Sequence, residues 1–528
     1  MSPLDWFVIA FYLLAMLVLA WYLGRTQGSR KDYYLASENL PPWALSTSII
    51  ATQCSTNSLL GAPAFVGFVV GGGMLWLQYE LAVPLAMLLL CFAFIPIRRS
   101  GVISIYAFLE MRLGRGARLL ASACFLFFRG VATGVTVYGV ASVIELITGI
   151  SYWQAALLLM AVTIVYDLMG GMRAVVISDV IQMVLLLGAI VFALFWLFEP
   201  LVTHWPDLSE RSVALANDWG LSTGNNYGFW PMFVGGVFLY AAYYGCDQSQ
   251  AQRLLSASDE EATQRVLTFN GLWRFPLVFA YCLLGLGLAA YAIENSNFIS
   301  SLPLTEAGAP NLNLVFPAFV QSEFAPGLVG LTIVGLFAAA MSSIDSALNS
   351  LSASTVEDFW VRKNSKPPSE KQLFLASKIS TGAWGLFALG FSFEVEAIAP
   401  TVLEAINKIS SMVNGPLLAL FAIALLIPRI GQGAAIIGFV IGVIGNAIVA
   451  YALPSVSWLW WNPFGCAIAL AGALSAAYFV HSLPQNGLGL RACFAKEHIT
   501  LSSVPRKLVI QLLVMTALIM VVCLGLSA

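Results

Sequence analysis

The sequence predicts an all-α polytopic membrane protein with about fourteen transmembrane helices, and two observations carry this prediction. Of its 528 residues, 59% are hydrophobic and 10% are charged, whereas soluble domains carry roughly 25% charged residues. The apolar residues also form runs of about 20 residues, the length of a helix that crosses a bilayer. These runs are 4–24, 42–62, 67–96, 118–147, 152–168, 174–198, 229–249, 267–293, 323–356, 373–394, 399–427, 432–452, 457–480 and 507–527.

Composition excludes several classes of function. The net charge of −2 leaves no basic surface for nucleic acid. The three histidines lie far apart in the sequence, which argues against a histidine metal or catalytic site, and the eight cysteines include no CxxC pair. We therefore expect a protein that is not an enzyme, whose partners are a small-molecule substrate and the lipid bilayer, with no obligate protein partner.

Basic residues indicate how the spans are oriented. They lie in every second loop, and the long segments 199–228 and 294–322 on the opposite side contain only Arg211. Since cytoplasmic loops carry the excess of Lys and Arg, we expect both termini to face outside. We expect the protein in a plasma membrane, and the absence of glycosylation-rich loops favours the inner membrane of a bacterium. The basic residues on the predicted cytoplasmic side are Arg25, Arg30, Lys31, Arg98, Arg99, Arg112, Arg115, Arg118, Arg173, Arg253, Arg265, Arg362, Lys363, Lys366, Lys371, Arg429, Arg491, Lys496, Arg506 and Lys507.

Two spans contain polar interruptions at matching places. The second span is polar from Thr52 to Ser58, and the seventh ends with Gly245 and Asp247. A lipid-facing helix does not tolerate such a stretch, but an interrupted helix that lines a cavity does. Paired interruptions point to an inverted-repeat transporter. The two repeats would be 42–198 and 229–427 in a single transporter domain, 1–528, with an extra first helix at 4–24 and three peripheral helices within 432–527.

The ninth span changes abruptly from apolar to polar residues. In the stretch Leu331–Asn349, residues Ser342, Asp345, Ser346 and Asn349 lie three or four positions apart and share one helix face. Ligands that are all oxygen suit a hard cation such as sodium. The alternative is that the hydroxyls bond back to carbonyl groups of their own helix, but a carboxylate inside a membrane still needs a positive partner.

Several charged side chains also lie inside predicted spans. Arg129 is too deep to reach the membrane surface easily, which favours a functional role. Asp179 has a structural alternative as an acid in the first turns of a helix. Glu404 and Lys408 are four residues apart and have the alternative of a structural ion pair. The remaining charges in this group are Glu80 and Arg274.

Four motifs resemble the sodium/solute symporter family, which includes sodium/glucose, proline, sialic acid and iodide transporters. The resemblance extends over about residues 5–480 and implies a LeuT-type fold of five plus five inverted helices. It also implies that the chain imports a solute together with Na+ by alternating access. The motifs are SIIATQCSTNSLLG (48–61), GGMRAVVISDVIQ (170–182), YYGCDQSQAQRLL (243–255) and AAAMSSIDSALNSLSAST (338–355).

The resemblance implies where one or two sodium ions bind. The conserved site would use carbonyl groups of Ala51, Cys54 and Ala339 and the hydroxyls of Ser342 and Ser343. Some relatives hold a second sodium, and its ligands here would be Asp179, Asp345 and Ser346, with Ser342 nearby. Those relatives have serine at the position of Asp345, so the added charge would either tighten a second sodium site or bind a proton.

The resemblance also suggests a substrate class. Sialic acid transporters of the family bind the substrate carboxylate with an arginine, and Arg129 is its counterpart here. A guanidinium in a dry cavity suits a carboxylate because it binds both oxygens. We therefore expect an organic anion, such as an acidic sugar or a monocarboxylate. The other expected substrate residues are Gln53, Ser55, Ser58, Glu80, Tyr243, Arg274 and Asn407.

Two kinds of alternative remain open. A sodium-coupled symporter of neutral sugars or amino acids would have the same fold, and Glu80 matches the sugar transporters. An ion channel or a sodium-linked sensor would be a different class of function. A channel needs a symmetric filter or a ring of like charges, and the sequence contains neither.

Overall fold

The computed structural model describes residues 1–528 except 26, 39, 55, 217, 219, 222–225, 306–307, 362–367, 396–401, 428 and 480–503. The side chains of residues 37, 57, 402–407 and 409 are also outside the description. Among the described residues, ten helices are long and apolar enough to cross a membrane, and the apolar helices Ser58–Phe68 and Ser410–Leu426 are shorter.

Each predicted span has a helical counterpart. Numbered in chain order, the helices are α1 (Pro3–Gly24), α2 (Arg30–Leu35), α3 (Pro42–Gln53), α4 (Thr56–Phe68), α5 (Trp76–Glu80), α6 (Ala82–Ala93), α7 (Ile95–Arg99), α8 (Ile105–Arg112), α9 (Arg115–Thr148), α10 (Tyr152–Trp196), α11 (Phe198–Thr203), α12 (Ser209–Ser212), α13 (Gly236–Cys246), α14 (Gln248–Leu255), α15 (Glu260–Glu294), α16 (Val315–Glu323), α17 (Leu328–Ser354), α18 (Glu370–Ser392), α19 (Val402–Leu426), α20 (Gln432–Ala452), α21 (Trp461–Phe479) and α22 (Arg506–Ser527).

The second predicted span is interrupted where its sequence turns polar. α3 ends at Gln53 and α4 begins at Thr56, because Cys54 between them has the non-helical angles φ −85° and ψ 63°. Unwound backbone inside a membrane needs polar partners. The hydroxyl of Tyr281 donates to the Cys54 carbonyl at 3.3 Å, and that of Thr56 donates to the Leu336 carbonyl at 2.9 Å. The predicted interruption is therefore confirmed.

The seventh predicted span is interrupted as well. α13 ends at Cys246 and α14 begins at Gln248, because Asp247 lies in extended backbone with φ −88° and ψ 123°. Its Oδ1 atom accepts a hydrogen bond from Ser249 N at 2.7 Å and so caps α14. All residues of α14 are buried, so this polar helix lies inside the protein.

One basic residue on the predicted cytoplasmic side is fully buried. Arg253, near the end of α14, is 0% exposed. It comes shortly before the segment that joins α14 to α15, as predicted, but its side chain points into the protein. Hydropathy does not recognise a short helix whose polar side chains are buried against its neighbours. Arg265, which the same pattern places on the other side of this loop, lies in α15 and has a side chain that is 60% exposed.

The predicted spans 152–168 and 174–198 are joined in α10. Forty-five residues of straight helix would extend for about 68 Å, more than twice the roughly 30 Å of a bilayer core. Gly171 breaks the helix with φ 51° and ψ −162°. A Cβ atom at this position would approach Tyr33 Cδ2 to 2.7 Å, so glycine is required both for the angle and for the close contact.

α17 is at the centre of the fold. In its most apolar window 89% of the residues are buried, against 22% for α1 and for α22. It packs against α1, α3, α9, α10, α14 and α18. A polar stripe on this helix therefore faces protein and not lipid, and the broken helices α3/α4 and α13/α14 lie beside it.

Candidate functional site

A cavity of about 180 Å³ lies between the two broken helices, α9, α17 and α19. Its wall combines aromatic rings with charged and hydroxyl groups. It brings together five of the predicted substrate residues from distant parts of the sequence, namely Gln53, Ser58, Arg129, Tyr243 and Arg274. Ser55 and the side chain of Asn407 lie outside the described residues, so their predicted roles remain untested.

Arg129 carries an open guanidinium into this cavity. It lies 14 residues after the first residue of α9, or about 21 Å along the helix. Its side chain is 17% exposed, and its Nε atom has no hydrogen-bond partner. The guanidinium lies 5.9 Å from the centre of the Tyr243 ring, and Nη1 lies 3.8 Å from Asp247 Oδ2. That distance exceeds a hydrogen bond, so Arg129 can still bind an anion.

Arg274 and Glu80 form a buried ion pair at the edge of the cavity. Arg274 Nη2 lies 2.9 Å from Glu80 Oε1 and donates to the Tyr240 hydroxyl at 2.6 Å. The guanidinium also lies 4.4 Å from the centre of the Tyr240 ring. Arg274 Nε and Nη1 and Glu80 Oε2 have no hydrogen-bond partner. The pair therefore keeps unused donors and one unused acceptor, although Glu80 itself is fully buried.

The polar stripe of α17 contacts the interrupted helix α3/α4. The hydroxyl of Ser343 donates to the Thr52 carbonyl at 3.0 Å, and the hydroxyls of Thr52 and Ser346 are 3.0 Å apart. Ser342 Oγ is buried and lies beside the carboxylate of Asp179. The two segments that contain the predicted sodium ligands Ala51, Cys54, Ala339, Ser342 and Ser343 therefore lie against each other.

The group predicted to hold a second ion contains a cation from the protein itself. Arg253 Nη2 lies 3.2 Å from Asp179 Oδ2 and also donates to Ser346. Its Nε donates to Ser48 Oγ at 2.5 Å, and Nη1 donates to the Ser249 carbonyl at 2.6 Å. Sequence reasoning missed this partner, although Arg253 belongs to the motif YYGCDQSQAQRLL.

Asp345 is the least satisfied carboxylate of this group. Its Oδ2 atom has no hydrogen-bond partner, and the hydroxyl of Ser346 lies 3.3 Å from Oδ1. It interacts electrostatically with Asp179, Asp167 and Arg253. Within the described part of the chain, no three His, Cys, Asp or Glu side chains are grouped as ligands of one metal ion. A cation here would therefore depend on hydroxyl and carbonyl oxygens as well as on carboxylates.

Comparison with known proteins identifies the family. The family model for the sodium:solute symporter family matches residues 33–442. This chain belongs to the sodium:solute symporter family. As a member it is a multi-pass membrane transporter that couples to Na+, and the predicted resemblance is confirmed. Its partners include a small-molecule substrate and membrane lipid.

Individual relatives within the family are distant. The sodium-coupled monocarboxylate transporter 1 of Xenopus laevis is 27% identical over 453 residues, which cover 83% of this chain and 70% of that protein. The sodium/sialic acid symporter SiaT of Proteus mirabilis (strain HI4320) is 25% identical over 488 residues, with coverage of 90% and 95%. At these identities the family does not fix the substrate.

Solved structures confirm the LeuT-type fold of this symporter. The substrate-bound outward-open state of a Na+-coupled sialic acid symporter aligns with a TM-score of 0.79 and 24% identity, covering 92% of this chain and 99% of that one. Mhp1, a nucleobase-cation-symport-1 family transporter, aligns with a TM-score of 0.52 and 15% identity, covering 84% and 93%.

Proposed function

We propose that this symporter imports an organic anion together with sodium and binds the substrate carboxylate at Arg129. The observation that carries the proposal is the open guanidinium of Arg129 in the central cavity. Asp247 lies within ion-pair distance of this guanidinium but does not form a direct hydrogen bond with it. A carboxylate ligand would form the short, charge-assisted hydrogen bonds that Asp247 leaves unmade.

The proposed sodium site lies between α3/α4 and α17. Its ligands would be the carbonyl groups of Ala51, Cys54 and Ala339 and the hydroxyls of Ser342 and Ser343. The contact between Ser343 and Thr52 and the buried hydroxyl of Ser342 support this assignment. Sodium would hold the interrupted helix against α17 and shape the adjoining cavity, which gives positive coupling between ion and substrate.

A second sodium would bind at Asp345, with Asp179 and Ser346 close by. The support is a charge imbalance, because the buried carboxylates of Asp167, Asp179 and Asp345 face the single guanidinium of Arg253. Arg253 neutralises one of them, and a second cation at Asp345 would neutralise another.

The number of sodium ions determines the driving force for an anion. One sodium per monoanion moves no net charge, so a tenfold sodium gradient, about 1.4 kcal/mol, supports only about tenfold accumulation. Two sodium ions move one net charge inward, which adds about 2.3 kcal/mol per 100 mV. With two gradient contributions the total is about 5 kcal/mol, or several-thousand-fold accumulation.

A neutral sugar is the second candidate substrate. The pair Arg274 and Glu80 favours it, because both side chains keep unused hydrogen-bonding atoms and Arg274 lines the cavity. Sugar hydroxyls can both donate to a carboxylate and accept from a guanidinium. A sugar would not need Arg129, however, so the two candidates predict different effects of changing this residue.

The test is uptake into proteoliposomes under a sodium or a potassium gradient. The substrates would be labelled monocarboxylates, sugar acids and neutral sugars. We expect sodium-dependent uptake of an organic acid that Arg129→Gln abolishes. The matched control is Arg265→Gln, which changes an exposed arginine and is expected to leave uptake unchanged. Normal affinity of the Arg129 variant for the acid would show that Arg129 is structural, and uptake of neutral sugars alone would favour the second candidate.

The proposal also includes the orientation of the protein in the membrane that the basic residues predict. Both termini would face outside, in a bacterial inner membrane. The residue ranges of the two inverted repeats likewise remain the ones proposed from the sequence.

A further inference from the structure

Asp247 lies beside Arg129 in the wall of the central cavity. It belongs to the interruption between α13 and α14, and its side chain is 19% exposed. A carboxylate and a guanidinium therefore lie side by side in the space proposed for the substrate.

The two oxygens of Asp247 have different environments. Oδ1 accepts from Ser249 N at 2.7 Å and from Ser249 Oγ at 2.5 Å. These bonds fix the carboxylate at the first turn of α14. Oδ2 is the atom that points toward Arg129, at 3.8 Å from Nη1. Because the bonds to Oδ1 hold the carboxylate in place, Oδ2 is already positioned before a substrate binds.

The gap between Nη1 and Oδ2 suits one bridging atom. A direct charge-assisted hydrogen bond would measure about 2.7–2.9 Å, so the observed 3.8 Å leaves the pair open. An atom placed about 2.8 Å from each would form a hydrogen bond to both. It must accept from the guanidinium and donate to the carboxylate. A hydroxyl can do both, whereas a ketone oxygen only accepts and an ammonium group only donates.

The carboxylate of the same ligand can use the rest of the guanidinium. Arg129 lines the cavity with a side chain that is 17% exposed, and arginine presents its donors as a rigid fork. A hydroxyl on the carbon next to the carboxylate would then lie beside Nη1. Without such a hydroxyl, the substrate carboxylate would face Asp247 with no hydrogen between the two anions, and like charges at this distance repel.

We infer that the cavity selects carboxylates with a hydroxyl group on the adjacent carbon and that Asp247 determines this selectivity. The inference rests on the proposed binding of an organic anion at Arg129. It narrows the substrate class from organic anions in general to 2-hydroxy acids, including sugar acids of this type. It also separates them from unsubstituted acids, 2-keto acids and amino acids.

Matched ligands test the inference on purified protein in sodium. Binding is measured by thermal shift and by competition for three-carbon and six-carbon acids in four versions: unsubstituted, 2-hydroxy, 2-keto and 2-amino. We expect the 2-hydroxy acid to bind at least tenfold more tightly than the other versions of the same length. Asp247→Asn should reduce this preference to threefold or less. Asparagine still caps a helix, so α14 should keep its structure.

A control variant separates selectivity from the helix cap. Ser249→Ala removes the side-chain bond to Asp247 Oδ1 but leaves Oδ2 in place, and it should retain the tenfold preference. Equal binding of unsubstituted and 2-hydroxy acids, tightest binding of the 2-keto or 2-amino acid, or a preference that survives Asp247→Asn would each overturn the inference while leaving anion binding intact. If no carboxylate binds at all, the proposed function itself fails.

Discussion

The buried pair of Arg253 and Asp179 provides a quantitative test of the structure. The charge pattern of the sequence places Arg253 beside a cytoplasmic loop, and the structure buries its side chain completely against Asp179. Arg253→Met, Asp179→Asn and the double variant form a cycle that tests this buried pair. Methionine keeps much of the volume of the side chain and removes its charge.

The expected magnitudes follow from the geometry. At 3.2 Å, two unit charges attract by about 5 kcal/mol if the effective dielectric constant is roughly 20. Burying the two ions costs several kcal/mol each, so the complete pair contributes little net stability. Removing one partner leaves an uncompensated buried charge, which costs about 3–5 kcal/mol. We expect Arg253→Met at the upper end of that range, because it leaves Asp179, Asp167 and Asp345 without their shared cation.

Asp179→Asn should cost less than Arg253→Met. After this change Arg253 still has Asp345 and Asp167 in electrostatic range, so its charge remains partly compensated. The double variant should destabilise by less than the sum of the two single changes, since neither remaining group then lacks its direct partner.

Denaturant titration in detergent micelles, followed by tryptophan fluorescence, measures these differences. The matched control is Arg99→Met, which breaks a pair with Glu260 whose side chains are 34% and 41% exposed. Exposed pairs contribute about 0–1 kcal/mol, so this variant should unfold close to the wild type. If Arg253→Met unfolds at the same denaturant concentration as Arg99→Met, Arg253 does not form a buried pair with Asp179.

Two further predictions concern sodium. Ser343→Ala should raise the sodium concentration for half-maximal uptake about tenfold or more, from roughly 1–3 kcal/mol of lost ligation. Ser350→Ala is the control, because its buried hydroxyl bonds only to carbonyls of its own helix; equal sodium dependence of the two variants would contradict the site. Asp345→Ser should lower the number of sodium ions transported per substrate from two to one, measured with radioactive sodium and labelled substrate, and an unchanged ratio would remove Asp345 from the ion path.

The helices could be predicted from the sequence because lipid imposes a simple rule. Apolar runs of the right length became helices, and the polar stretch at Thr52–Ser58 became an interruption. α14 could not be predicted in the same way. Its residues are polar because they face other polar groups, and a hydropathy window cannot distinguish burial against protein from exposure to water.

The sequence could predict which residues belong to the site but not which of them form ion pairs with each other. Motifs and depth in the membrane indicated Arg129, Arg274 and Glu80. That Arg274 pairs with Glu80, 194 residues away in the chain, depends on how α5 and α15 pack. The same is true of Asp247 and Arg129. Sequence alone identifies which charges lie in the membrane, and only tertiary structure shows which charge neutralises which.

Charge balance connects these pairs to transport. Around the cavity, Arg129 faces Asp247, Arg274 pairs with Glu80, and Arg253 pairs with Asp179. Within these three pairs, each guanidinium therefore has a carboxylate before any ligand binds. Within these pairs, adding the monoanion alone would place a net negative charge in a region of low dielectric constant, whereas adding it together with one sodium would not. The energetic cost of that net charge is itself a reason for ion and substrate to bind together, in addition to any movement of the interrupted helices.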